Sequence, residues 1–102
     1  MSDRLYLQAK FEEILGSRNV YFQPPTSVSM RYPAIRYKLK EFRTQSANNS
    51  SSYITSTGYE CVLIMKEPDT EYLQKIFQIP YCKFDRYYPA DNLHHYTFII
   101  YQ

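Results

Sequence analysis

The sequence predicts an α+β domain: a small mixed or antiparallel sheet flanked by two helices, in the order α-β-β-(long loop)-β-α-β-β. Three observations carry this. Leu7, Phe11, Ile14 and Leu15 recur at i, i+4, i+7 and i+8, the stripe of a helix with one buried face. Ile35, Tyr37 and Leu39 alternate with Arg36, Lys38 and Lys40, the period of a strand buried on one side only. Residues 59–65, Tyr-Glu-Cys-Val-Leu-Ile-Met, are almost continuously apolar, as in a central strand.

The elements follow in order. The first helix spans 3–15, with Ser2 as N-cap and Gly16 placed for a left-handed stop. Arg4, Gln8, Glu12 and Glu13 fall largely off its apolar stripe. Residues 19–23 form a short β-prone run, stopped by Pro24-Pro25, which cannot donate to a ladder. Residues 26–32 connect, and Pro33 opens the alternating strand. Residues 44–57 are polar and low in complexity, and read as a long mobile loop with Tyr53 and Ile54 as its apolar residues. After the strand at 59–65 comes a turn at 66–69. A second helix follows at 69–78, capped by Asp69 or Thr70, with Leu73, Ile76 and Phe77 as its buried side. Pro80 ends it. Residues 81–87 read as a strand or extended segment, 89–92 as a turn and 94–101 as the last strand. Both faces of that strand are apolar, so it is expected inside the sheet or covered. No internal repeat and no domain boundary is visible in the 102 residues.

Composition narrows the function. Hydrophobic residues make up 44% and charged residues 22%, enough for a thin globular core. Twelve tyrosines with no tryptophan suit a chain that adheres to other surfaces, since Tyr joins a large ring to a polar tip. The net charge of +2 argues against nucleic acid as the main partner. No apolar run approaches a membrane span, and Met1-Ser2-Asp3-Arg4 lacks a signal-peptide pattern, so synthesis and use in the cytosol are expected. There Cys61 and Cys82 are expected as free thiols. Asn48 and Asn49 match the N-x-Ser pattern, which carries weight only in secreted chains.

No set of groups reads as catalytic. His94 and His95 are adjacent in a strand and point to opposite faces, so they cannot chelate one ion together. Asp85 or Asp91 with His95 lacks a nucleophile, and Cys82, between Tyr81 and Phe84, reads as core filler. Gly16 and Gly58 are the only glycines, which excludes a glycine-rich phosphate loop. The row Arg36, Lys38 and Lys40, extended by Arg43, is either a solvated strand face or a surface for acidic partner residues or nucleic acid. Arg86 is a candidate interface anchor.

The order of elements and several strings resemble the tail-terminator (tail-completion) proteins of long-tailed bacteriophages. The strings are Val20-Tyr21-Phe22-Gln23-Pro24-Pro25, residues 32–39 (Tyr-Pro-Ala-Ile-Arg-Tyr-Lys-Leu), Tyr59-Glu60-Cys61-Val62-Leu63-Ile64, and the C-terminal residues 80–88 and 91–98. The resemblance implies a subunit of a ring, typically hexameric, at the head-proximal end of the tail tube. Such a ring meets the tube protein and the neck or head-closure protein, lets DNA pass through its lumen without sequence preference, and does no covalent chemistry. It implies a virion location in the tail or neck after assembly in the host cytoplasm, and no cofactor or membrane. On that reading Asn48, Asn49, Tyr53 and Ile54 belong to a loop that orders against a partner, and Arg36, Lys38, Lys40 and Arg43 face the lumen or a neighbouring subunit. The alternatives are a head-closure or connector protein of the neck, and a small monomeric regulatory binding protein. An enzyme using His95 with Asp85 or Asp91 is the remaining class.

Overall fold

The structure, a computed structural model, describes residues 3–24, 29–47 and 51–102. In chain order these form α1 (Asp3–Leu15), β1 (Val20–Phe22), β2 (Ala34–Ala47), β3 (Ser51–Met65), α2 (Thr70–Phe77), β4 (Cys82–Ala90) and β5 (Leu93–Tyr101). The strands make one mixed sheet in the order β1-β2-β3-β5-β4. Only β1 and β2 run parallel; every other pair is antiparallel.

Both helices pack on one face. The stripe of α1, Leu7, Phe11, Ile14 and Leu15, is buried with Ile35 and Tyr37 of β2, Tyr59, Cys61, Leu63 and Met65 of β3, and Phe98 and Ile100 of β5. Phe11 sits at the centre and meets Tyr37 and Phe98 edge-on, with ring centroids 5.5 and 6.1 Å away. The Tyr37 hydroxyl donates to Gln8 Oε1 at 2.6 Å, which lets a tyrosine occupy the core with its polar tip satisfied. Gly16 ends α1 at φ 68°, and its amide donates to the Glu12 carbonyl at 2.9 Å. Ser2, expected as the N-cap, lies outside the described residues.

The second helix is capped by Asp69, whose carboxylate accepts from the Glu71 amide at 2.9 Å. Ile76 is buried and Leu73 half-buried, as the spacing requires. Phe77 is a correction: it is 44% exposed and lies edge-on to Phe84 of β4 at 5.9 Å. Ile79, just past the helix, takes the buried place instead.

The largest correction concerns residues 44–57. Its described residues are strand, not loop: 44–47 end β2 and 51–57 begin β3, paired from Thr44↔Ile54 to Ala47↔Ser51. Ser and Thr repeats carry no burial period, yet threonine and tyrosine fit a pleated backbone well, and the ladder continues outward from the buried part of the hairpin. Asn48 and Asn49 lie outside the described residues. A 14-residue antiparallel strand runs about 48 Å at about 3.4 Å per residue, in keeping with a long axis of 51 Å.

Two further differences are local. Leu39 lies on the helix-covered face but past the end of the helices, and is 39% exposed. The expected turn at 89–92 is shorter: Pro89 and Ala90 belong to β4, and Asp91 and Asn92, at φ 54° and 61°, make a two-residue hairpin turn. Pro89 is tolerated because β4 is an edge strand. The last strand, β5, lies inside the sheet between β3 and β4, as its two apolar faces predict.

Candidate functional site

Among the described residues two surfaces carry no helix: the outer end of the β2–β3 hairpin and the sheet face opposite the helices, on which Ala34, Val62, Ile64, His95 and Thr97 are nevertheless buried.

The hairpin outlives its neighbours. Pairing with β5 ends where Thr57 and Gln102 exchange backbone hydrogen bonds at 2.8 and 2.9 Å, and β1 reaches only as far as Tyr37. Residues 42–47 and 51–56 therefore form a two-stranded arm with no layer against either face among the described residues. Phe42 is 50%, Tyr53 50% and Ile54 57% exposed on it. A two-stranded ribbon alone is marginal in water, so apolar side chains here suit a surface that another molecule completes. Tyr53 and Ile54, expected as the anchors of this segment, are on the arm; Phe42 joins them.

Register shifts decide which side chains share a face. The extra residue Lys40 between Leu39↔Tyr59 and Glu41↔Gly58 reverses the alternation of β2. Arg36 and Lys38 lie on the open face before it, and Glu41 and Arg43 lie there after it. The Arg43 guanidinium sits 3.8 Å over the Tyr101 ring, and the Tyr101 hydroxyl donates to Glu41 at 2.9 Å. Lys40 itself is the bulged residue and does not continue the row. A second shift, at Thr55 on β3, pairs Thr44 with Ile54 and puts Ile54 on the same side as Phe42.

The other edge behaves in the same way. The shift between Phe84 and Arg86 makes Asp85 the extra residue and opposes Arg86 to Thr97 on the open face. Thr97 holds this bulge: its hydroxyl accepts from the Arg86 amide at 3.0 Å and lies 3.1 Å from Asp85 Oδ2 and from the Arg86 carbonyl, either of which can take its proton. A groove of about 460 Å³ opens on this face, walled by Gln23 and Pro24 after β1 and lined by Arg36, Val62, Arg86 and Thr97. Glu60 also lines it and pairs with Lys38 at 3.8 Å.

The residues weighed for chemistry are spread apart. His94 and His95 point to opposite faces, as adjacent strand residues must. His94 Nδ1 is 2.7 Å from the Tyr87 hydroxyl; His95 is buried flat against Tyr88, with its Nδ1 unpartnered. Asp85 is engaged by Thr97, and Asp91 sits exposed in the turn. Cys82 faces Ile100 at the far end of β4 from His94, and burial pushes its thiol up to about 11. Cys61 is pushed up too, by burial first and then by its neighbours Cys82 and Glu60. Both cysteines are free. Thiols held protonated are poor nucleophiles. Among the described residues no three His, Cys, Asp or Glu side chains gather as a metal site, and no helix is long and apolar enough to cross a membrane.

Comparison of the chain with protein-family models, with curated proteins and with solved structures gives no match.

Proposed function

We propose that this chain is a non-enzymatic structural subunit of a phage particle, a tail terminator that caps the head-proximal end of the tail tube as a ring and joins it to the neck. The observation that carries the reading is the hairpin arm, which extends beyond every other element and holds Phe42, Tyr53 and Ile54 half exposed. A monomer gains nothing from such an arm, whereas a subunit can lay it on a neighbour or on the tube end. The β4 edge adds Tyr81, Phe84 and Tyr87, all exposed, on or beside a strand with no outer partner among the described residues. Two different incomplete surfaces, one at the end of β2 and β3 and one along the β4 edge, suit head-to-tail contact, the kind that closes into rings. The resemblance of its strings to those of tail terminators supports the place proposed for it in the virion.

The test is electron microscopy of purified protein mixed with tail tubes from the cognate phage. A terminator appears as a cap on one tube end and stops further polymerisation. Tubes that lengthen unchanged and carry no cap contradict the reading.

A further inference from the structure

We infer that the open face of the sheet is a docking groove for an acidic, extended segment of a partner protein, with Arg36 and Arg86 as its two carboxylate-binding arms. This goes beyond the terminator reading and does not depend on it.

The register sets the geometry. Arg36 of β2, Val62 of β3, Thr97 of β5 and Arg86 of β4 stand opposite one another in one row across the sheet. Three strand spacings of about 4.8 Å put the two arginines about 14 Å apart at Cα. Val62 and Thr97, both buried, form the floor between them, with the Asp85 carboxylate 3.1 Å from the Thr97 hydroxyl. On one side the row is bounded by the Lys38–Glu60 ion pair, on the other by Tyr88 stacked on His95.

Among the described residues neither arginine is in an ion pair; the pairs there are Lys10–Glu13, Lys38–Glu60 and Lys75–Glu71. Arg86 has the Tyr88 ring 5.3 Å away, a contact that keeps its donors free. Arg86 has Asp85 beside it in sequence, whereas the sequence around Arg36 brings no counter-charge. Between Glu13 and Glu41 the chain has Arg18, Arg31, Arg36, Lys38 and Lys40 and no carboxylate. Of the nearby carboxylates, Glu60 pairs with Lys38, while Asp85 and Glu41 accept from the hydroxyls of Thr97 and Tyr101 and keep their charge.

The chemistry selects the occupant. A guanidinium fork takes a carboxylate through two parallel hydrogen bonds. In an extended chain, side chains at i and i+4 point the same way and lie about 13 Å apart, which matches the arginine spacing. The residue at i+2 then rests on Val62 and Thr97, where a small apolar side chain fits. Duplex nucleic acid fits less well. Its binding draws on many cations along a phosphate backbone, and here two arginines flank an aliphatic floor in a chain of net charge +2.

The experiment is fluorescence anisotropy of the full chain with a labelled peptide Ser-Glu-Ser-Val-Ser-Glu-Ser, the same peptide with Gln for both Glu, and a labelled DNA duplex. The acidic peptide is expected to bind with Kd below about 1 mM. Substituting Gln in the peptide, or Arg36→Gln or Arg86→Gln in the protein, should weaken binding at least about tenfold, roughly one charged hydrogen-bonded contact. Both arginines are exposed, so circular dichroism of the variants should match the parent. The inference is overturned if the peptide does not bind, if both variants bind it as the parent does, or if the duplex binds more tightly. Self-association that Arg36→Gln and Arg86→Gln abolish would give the groove to a second copy and also overturn it. None of these results bears on tube capping, which is scored separately.

Discussion

Arg43 lies 3.8 Å over the ring of Tyr101, and this contact fastens the base of the hairpin arm to the last strand. Cation–π contacts at exposed sites contribute about 0.5–1 kcal/mol. A double-mutant cycle on Arg43→Ala and Tyr101→Ala, read by urea unfolding, is expected to return a coupling of that size. Strict additivity would mean that the two side chains do not hold each other.

Gly58 is the strand residue opposite Tyr101. A Cβ built there would stand 2.9 Å from Tyr101 Cε1 and 3.1 Å from Glu41 Cγ. Gly58→Ala should therefore destabilise the fold by about 1–3 kcal/mol, as overpacking does. Adding Tyr101→Ala should remove most of that penalty. If the double variant is no better than the sum of the singles, the ring is not the obstacle.

Tyr37→Phe should cost about 1–2 kcal/mol, because it keeps the packing against Phe11 and leaves Gln8 Oε1 without its donor. Chemical denaturation checks this. A loss below the error of the measurement would mean that water satisfies Gln8 equally well.

Stability should fall in alkali through the buried thiols. The Cys82 pKa rises from the ordinary 9.0 to about 11 on folding, chiefly by burial, and Cys61 and Tyr37 shift in the same direction. At low pH both folded and unfolded chains keep these protons, and the contribution to stability is complete. Above about pH 9 the unfolded chain releases protons that the folded chain still holds, so stability declines until about pH 11. Urea midpoints at about pH 8 and pH 10.5 should separate more for the parent than for Cys82→Ser. Equal separation would remove Cys82 as a cause.

Much of the fold was legible because its signals are periodic. The stripe from Leu7 to Leu15 and the alternation from Ile35 to Lys38 report burial directly, and both are found as read. The arm was illegible for the opposite reason. Side chains exposed on both faces leave no period, so residues 44–57 look like a loop although 44–47 and 51–57 belong to a ladder. The candidate groove was half legible. Arg36 and Lys38 were found by alternation, but Arg43 and Arg86 reach the same face only through the bulges at Lys40 and Asp85. An inserted residue reverses the alternation, and nothing in the local string announces it. Phe77 was misplaced because helical spacing gives the direction of a side chain, not the end of the layer it meets.

The central claim is that the chain works by completing surfaces with its neighbours, and the arm is where that claim is most exposed. Phe42→Ser with Ile54→Ser removes the arm's apolar side chains at positions that contribute little to the core. The measurement is the fraction of tail tubes capped, counted in negative-stain micrographs, beside the unfolding free energy of the same protein. The unfolding free energy is expected to stay within about 0.5 kcal/mol of the parent while most capping is lost. Capping at parental levels by this well-folded variant would contradict it.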